Sequence, residues 1–193
     1  MNTEHFSFAR SFASEYGIIL GISWGVSFLL FVMTLTHLNI IFSFLFAISF
    51  IILPFIAIYL GWRFKQHLNP GEKVSFAIAW FFAFLLIANA SLVCAGIEFG
   101  YFQFFDNGTM MDAINQIVRN PETETFYRQM AESSKKPEIM NIYNTNIESL
   151  NILSSASPLE LTISLLSQNI TLGFFLSFVV AFVASRRCSK VKI

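Results

Sequence analysis

The stretch Val74–Ile97, VSFAIAWFFAFLLIANASLVCAGI, decides the fold because it runs for 24 residues without a charged side chain. A helix needs about 20 mostly apolar residues to cross the hydrocarbon core of a bilayer. Core helices of water-soluble proteins keep a polar face and seldom run so far without a charge. The stretch therefore predicts a membrane-spanning helix.

Three further uncharged runs of similar length repeat this pattern: Tyr16–Thr36, Leu38–Trp62 and Leu161–Ser185. The whole chain of 193 residues is 55% hydrophobic and 12% charged, and its mean hydropathy is +0.62. Soluble domains carry about 25% charged residues. The sequence predicts an all-α polytopic membrane protein with four transmembrane helices and the lipid bilayer as its solvent.

The first run is too long for the apolar region of a signal peptide, and a second apolar run follows at once. We therefore expect it to be an uncleaved anchor. The order of runs divides the chain into three parts. Residues 1–106 hold an N-terminal tail and helices at about 16–36, 38–62 and 74–105. Residues 107–157 form a polar insert, and residues 158–193 hold the last helix, to about 185, and a basic tail.

Basic residues predict the orientation, because Lys and Arg collect on the cytoplasmic side of short loops. They occur before the first run, between the second and third runs, and after the last: Arg10, Arg63, Lys65, Lys73, Arg186, Arg187, Lys190 and Lys192. The turn between the first two runs has none. Both termini are therefore expected in the cytoplasm and the 107–157 insert outside it.

Two groups of apolar residues at helical spacing occur in the insert, and Pro121 and Pro137 interrupt it. This pattern predicts two or three short amphipathic helices. They would cap the bundle or lie on the membrane surface, and a binding surface for another envelope membrane protein is the alternative. The motif SPLE at Ser157–Glu160 predicts the start of the last helix through a capping box with Pro at the first helical position.

Glu98 and Asn89 are the candidate functional polar residues of the membrane zone. Glu98 follows Val74 by 24 residues, about 36 Å of helix, which puts it near the far edge of the hydrocarbon. We expect a carboxylate at the outer rim, hydrated or paired, and the alternative is a functional intramembrane acid. Asn89 lies deeper, where a lone amide more often joins helices than binds a substrate.

Small residues predict where helices approach closely. Gly17, Gly21 and Gly25 recur every four residues on the first helix, and Gly96 and Gly100 form a second such pair around Glu98. These spacings are typical of helix contacts, either within the chain or between subunits of an oligomer. Inside the second run, Pro54 removes a backbone donor and predicts a kink, which serves packing or, alternatively, gating.

The search for reactive groups gives no catalytic residue, no cofactor site and no metal site. His5, His37 and His67 lie in three different segments, and no His or Cys pair has zinc-ligand spacing. No phosphate-binding glycine loop or nucleophile elbow occurs. Cys94 and Cys188 read as free thiols. The formal net charge of zero gives no basic face for nucleic acid.

Three segments resemble a bacterial family known as domain of unknown function 4199. They are VSFAIAW at Val74–Trp80, GYFQFFDNGTMMDAI at Gly100–Ile114 and LGFFLSFVVAFVASRR at Leu172–Arg187. Members often carry Pro after the acid that matches Asp106, where this chain has Asn107 and Gly108. The resemblance implies four helices with an amphipathic insert and no established activity. Genes of the family often lie near lipid-sugar glycosyltransferases, which implies an accessory role in the cell envelope.

We therefore expect a non-enzymatic protein of the bacterial inner membrane, acting as an accessory or scaffold component of the cell envelope. The second hypothesis is a small transporter, or a flippase-like protein for lipid-linked sugars, that acts as an oligomer. It depends on Pro54, Asn89 and Glu98. A membrane enzyme would need an acid or His cluster at one interface, and the sequence contains none.

Overall fold

A computed structural model describes residues 3–37, 39–68 and 74–185, and within them the chain forms seven helices and no strand. The helices are α1 (Thr3–His37), α2 (Ile40–Leu68), α3 (Phe76–Phe104), α4 (Thr109–Val118), α5 (Pro121–Ser134), α6 (Glu138–Ser154) and α7 (Pro158–Ser185). Four of them, α1, α2, α3 and α7, are long and apolar enough to cross a membrane. The prediction of an all-α protein with four spanning helices is confirmed.

The first helix is longer than the sequence pattern predicted. It begins at Thr3 rather than near Tyr16, so most of the expected N-terminal tail is helical. Ala9, Phe12 and Ala13 are buried, and the Phe12 ring stacks on Tyr16 at 4.3 Å between centroids. This apolar face packs on neighbouring helices. The sequence pattern places the start of α1 too late because Arg10 and Glu15 interrupt the uncharged run.

The four long helices form an up-and-down bundle with α3 at its centre, and α3 makes its most extensive contacts with α1 and α7. Phe64 near the end of α2 stacks on Phe82 near the start of α3 at 4.0 Å. Phe12 of α1 contacts both rings, and Val180 of α7 lies against Gly61 of α2. The first turns of α1 and the last turns of α7 therefore lie at the same end of the bundle.

A second apolar cluster attaches the insert to the other end of the bundle. It joins five helices through Phe28, Val32, Phe102, Met110, Met111, Leu150 and Leu161. Burying each such side chain contributes about 1.5–3 kcal/mol relative to exposure in water. The helices α5 and α6 pack on each other and on α4, and both α4 and Leu150 of α6 connect this hairpin to the bundle.

The outer surface of the bundle is apolar, most of all on α2. No residue of α2 before Pro54 is buried, whereas Ala57, Leu60 and Phe64 after it are. Exposed rings and aliphatic chains over a helix of 29 residues are unfavourable in water, and a lipid environment accounts for them. The helix continues through Pro54, and before it α2 contacts α1 through half-buried side chains such as Phe46, whose ring lies 5.2 Å from that of Phe31.

The start of α7 follows its sequence motif closely. Glu160 Oε2 accepts from the Ser157 backbone N–H at 2.7 Å, and Ser157 Oγ accepts from the Glu160 N–H at 3.3 Å. Pro158 is the first helical residue. The predicted basic residues Lys73, Arg186, Arg187, Lys190 and Lys192, and the thiol of Cys188, lie outside the described residues. Which side of the membrane holds the termini stays a prediction.

Candidate functional site

A row of buried polar side chains lies on one face of α3. Ser91, Cys94 and Glu98 follow each other at spacings of three and four residues, which puts them on the same side of a helix. All three are buried, and Glu98 is 2% exposed. The apolar neighbours Ala90 and Ala95 are buried too, so this polar row lies inside the bundle.

Glu98 connects α3 to α7. Its Oε1 accepts a hydrogen bond from Cys94 Sγ at 3.3 Å and another from Asn169 Nδ2 at 3.3 Å. Its Oε2 is equally buried but has no hydrogen-bond partner among the described residues, and the same holds for Ser91 Oγ. A buried polar atom without a partner costs about 1–3 kcal/mol. Glu98 Oε2 and Ser91 Oγ can therefore each form a further hydrogen bond inside the bundle.

The expectation that Glu98 is hydrated or ion-paired is wrong, whereas its depth in the membrane stays a prediction. The carboxyl is enclosed, and it forms no ion pair within the part of the chain that the structure describes. The distance along α3 could not show which face of the helix α7 covers. Because α7 packs along this face, Asn169 replaces water as the partner of Glu98.

Asn89 lies on the opposite side of α3. Nine residues separate it from Glu98, which corresponds to half a turn beyond two full turns. Asn89 is half-buried against α1, where a Cβ on Gly17 would lie 2.7 Å from the Asn89 Cβ. The structure therefore does not bring the two predicted polar residues together.

The glycines of α1 all face α3. A Cβ on Gly21 would lie 2.6 Å from the Ala90 carbonyl oxygen, and one on Gly25 would lie 2.2 Å from Ile97 Cδ1. These positions let the two backbones approach more closely than any larger residue would allow. The contact is internal to the chain.

Gly96 and Gly100 behave differently, and of the two alternatives for them a close contact with another helix of the chain is not found among the described residues. A Cβ at either position would meet nothing within 4 Å. Gly96 is exposed, and Gly100 lines an open groove between α1 and α3. Spacing alone could not reveal this, because it identifies a small-residue face without showing whether a helix covers it.

Pro54 borders an apolar cavity of about 250 Å³ between the long helices. Leu20 and Trp24 of α1 line it together with Ile87 of α3 and Gly173 of α7. A larger cleft of about 850 Å³ lies between the end of α1 and α4. Neither of these two spaces is lined by Glu98 or Asn89. In the described residues, no group of three or more His, Cys, Asp and Glu is placed to hold a metal ion.

Sequence reasoning missed both partners of Glu98. Cys94 precedes it by four residues, so helical spacing was a usable signal, and the structure confirms Cys94 as a free buried thiol. Asn169 lies 71 residues away, and nothing in its local sequence indicates the pairing. Asp106 was missed as well. It is buried and caps the insert, with its Oδ1 accepting from the Met110 N–H at 2.9 Å.

A family model described as "Protein of unknown function (DUF4199)" matches residues 15–186. The chain belongs to this family. The match spans nearly all of this DUF4199 protein's four long helices and the whole insert, so the Glu98 row and the α4 cleft lie within the family region. No curated protein and no solved structure matches the chain.

Proposed function

We propose that this DUF4199 protein is a non-enzymatic integral membrane component that acts as an accessory or scaffold subunit of the cell envelope. In this proposal the α5–α6 hairpin extends from the bundle and docks a partner membrane protein. The supporting observation is an exposed apolar pair on the hairpin, Phe126 and Met130.

Phe126 and Met130 lie one turn apart on the same face of α5 and are 59% and 44% exposed. The rest of α5 is polar, with Glu122, Glu124 and Arg128 among its residues. A Phe and a Met side by side on such a helix add apolar surface that water solvates poorly. Aromatic and Met side chains are enriched where protein partners meet, which favours docking of a protein at this face.

The hairpin is held as a unit, as a docking platform requires. Asn120 Oδ1 caps α5 by accepting from the Glu122 N–H at 2.9 Å. The rings of Tyr127 and Tyr143 join α5 to α6 at 5.3 Å, and Tyr143 Oη donates to the Val118 carbonyl at 3.4 Å. These contacts fix the orientation of the exposed pair relative to the bundle.

Site-specific photocrosslinking tests the docking surface. A photoreactive amino acid at Phe126 is expected to give one discrete protein adduct in intact cells. The same group at Arg128, an exposed residue on the other side of α5, is the control and should give none. In a second experiment the photoreactive group is moved to Gln129 in a Phe126→Ala, Met130→Ala background. Loss of the adduct there would identify the apolar pair as the contact. Lipid adducts alone at Phe126 would contradict the proposal.

A small transporter or flippase-like oligomer is the second candidate, and one observation favours it. Glu98 is an enclosed acid with an unpartnered oxygen, and buried acids in membrane proteins often belong to transport paths. Reconstitution into phosphatidylethanolamine–phosphatidylglycerol vesicles with a head-group-labelled lipid tests it. Translocation that wild type supports and Glu98→Gln abolishes would favour this candidate. A rate equal to that of protein-free vesicles would remove it.

A further inference from the structure

A recess with two adjoining parts lies at the insert end of the bundle, and its lining includes neither the Glu98 row nor the Phe126–Met130 pair of the hairpin. Its lower part is a groove of about 410 Å³ between α1 and α3. Its upper part is the cleft of about 850 Å³ between the end of α1 and α4. Val32, Met33 and Tyr101 line both parts, so the groove and the cleft adjoin each other.

The groove is lined by apolar side chains. Leu29 and Ile97 form its walls with the shared residues, and Phe105 lies at its end. Gly100 belongs to its lining, and the absence of a side chain there leaves the space open, because nothing lies within 4 Å of a Cβ position. Such a surface suits a hydrocarbon chain and offers a polar group almost nothing to bond.

The cleft has a polar rim on the insert side. Thr36 and His37 at the end of α1 face Asp112, Gln116 and Asn120 at the insert. Among the described residues of this lining, Asp112 is the one acid and none is Lys or Arg. The base closest in sequence, Arg119, donates instead to Asn115 and Asn151 on its other side. The rim is therefore a hydrogen-bonding surface with a negative charge.

The position of the recess matches a boundary between apolar and polar surroundings. The candidate spans end at His37 and Phe104, beside the upper part of the recess. Phe104 and Phe105 are highly exposed there, as aromatic residues near a membrane interface often are. The volume of the cleft lies within the range of about 300–1,000 Å³ that is usual for small-molecule sites.

We propose that the recess binds one amphiphile, with a hydrocarbon chain in the α1–α3 groove and a hydrogen-bond-donating head group in the cleft beside Asp112. The head group carries an ammonium or hydroxyl groups, and an anionic head group is disfavoured because it would face Asp112 without a Lys or Arg partner among the described residues. A zwitterionic aminophospholipid and a neutral glycolipid share this chemistry. The site does not depend on partner docking at the hairpin.

Native mass spectrometry of the delipidated protein in mild detergent tests the site. Phosphatidylethanolamine, a monoglycosyl diacylglycerol and phosphatidylglycerol are added separately at equal concentrations. We expect one tightly bound molecule of phosphatidylethanolamine or of the glycolipid, at least about tenfold preferred over phosphatidylglycerol, because one hydrogen bond to a charged group accounts for such a factor. The preferred lipid distinguishes the two sources of the head group.

Two variants and a matched control locate the site. Gly100→Leu fills the groove and is expected to weaken binding about tenfold or more. Gly96→Leu adds the same side chain one turn earlier, in equally open space that does not line the groove, and should leave binding unchanged. Asp112→Asn should remove the discrimination against phosphatidylglycerol. Thermal unfolding of each variant verifies that it is folded.

Three outcomes would overturn the proposal. They are equal binding of all three lipids by wild type, equal losses in Gly100→Leu and Gly96→Leu, and a preference for phosphatidylglycerol. The first would mean that lipids contact the bundle without a defined site. The second would place the lipid elsewhere on α3, and the third would contradict the charge argument.

Discussion

At the scale of single residues, the contact between α1 and α3 depends on three glycines whose surroundings differ in rigidity. The Cβ of Gly21→Ala would lie 2.6 Å from a backbone carbonyl oxygen, which cannot move without shifting α3. We expect this variant to lose about 1–3 kcal/mol of stability, as overpacked cores do. Thermal unfolding in detergent measures the loss.

Substitutions at Gly25 and Gly96 provide comparisons for the loss of stability expected at Gly21. At Gly25→Ala the obstructing atom is the flexible tip of Ile97, so the loss should be smaller than at Gly21. At Gly96→Ala nothing obstructs the new methyl group, and stability should rise by up to about 1 kcal/mol because Ala favours the helix. A loss at Gly96 as large as at Gly21 would show that α3 has a neighbour at Gly96 outside this chain.

Glu98 gives a second prediction at this scale. Glu98→Gln keeps an oxygen that accepts from Cys94 and Asn169 and removes the ionisable group from an enclosed position, so the fold should be at least as stable as wild type. Glu98→Ala leaves both donors without an acceptor and should cost about 1–3 kcal/mol. Equal losses in the two variants, measured by thermal unfolding, would mean that the packing requires the ionised carboxylate.

At the scale of elements, one buried acid, Asp106, stabilises the start of α4. Asp106 Oδ1 accepts from Tyr101 Oη and from the Met110 N–H, both at 2.9 Å, and so joins the end of α3 to the start of α4. Asp106→Ala should cost about 0.5–2 kcal/mol, as other lost helix caps do. Hydrogen exchange should increase first at the amides of α4, whereas Asp106→Asn, which keeps an acceptor, should stay close to wild type.

The elements also show what the sequence could predict. The start of α7 at Pro158 was predictable because the capping box is a local signal between residues three apart. The start of α1 was not, because Arg10 and Glu15 interrupt the apolar pattern while Ala9, Phe12 and Ala13 still pack. An amphipathic extension of a membrane helix is recognisable only when its packing partner is known.

At the scale of the whole molecule, the four spans predict that the two ends of α3 lie on opposite sides of the membrane. Gln66→Cys and Ser133→Cys are both exposed positions, and one span separates them. In a Cys188→Ser background, an impermeant maleimide should label Ser133→Cys in intact cells and Gln66→Cys only after permeabilisation. The buried thiol of Cys94 should not react. Labelling of both from one side would contradict the topology.

The number of helices and their general course were predictable from composition and run length, because both depend on local hydrophobicity. The pairing of helices was not. Gly17–Gly25 and Gly96–Gly100 carry the same spacing, yet the first set packs against α3, whereas no described residue lies within 4 Å of a Cβ placed at either glycine of the second. The enclosure of Glu98 likewise depends on which face of α3 packs against α7, and no local sequence pattern predicts that face.

The hydrogen bond between Asn169 and Glu98 has a consequence for how the protein is made. The two residues are 71 positions apart, so at about 5–20 residues per second the ribosome needs roughly 4–14 s to add the second after the first. During that interval α3 already carries its carboxyl while α7 has yet to be synthesised. A chain that terminates before α7 keeps that polar face uncovered, and we expect pulse-chase labelling to show faster degradation of such a fragment than of its Glu98→Leu version.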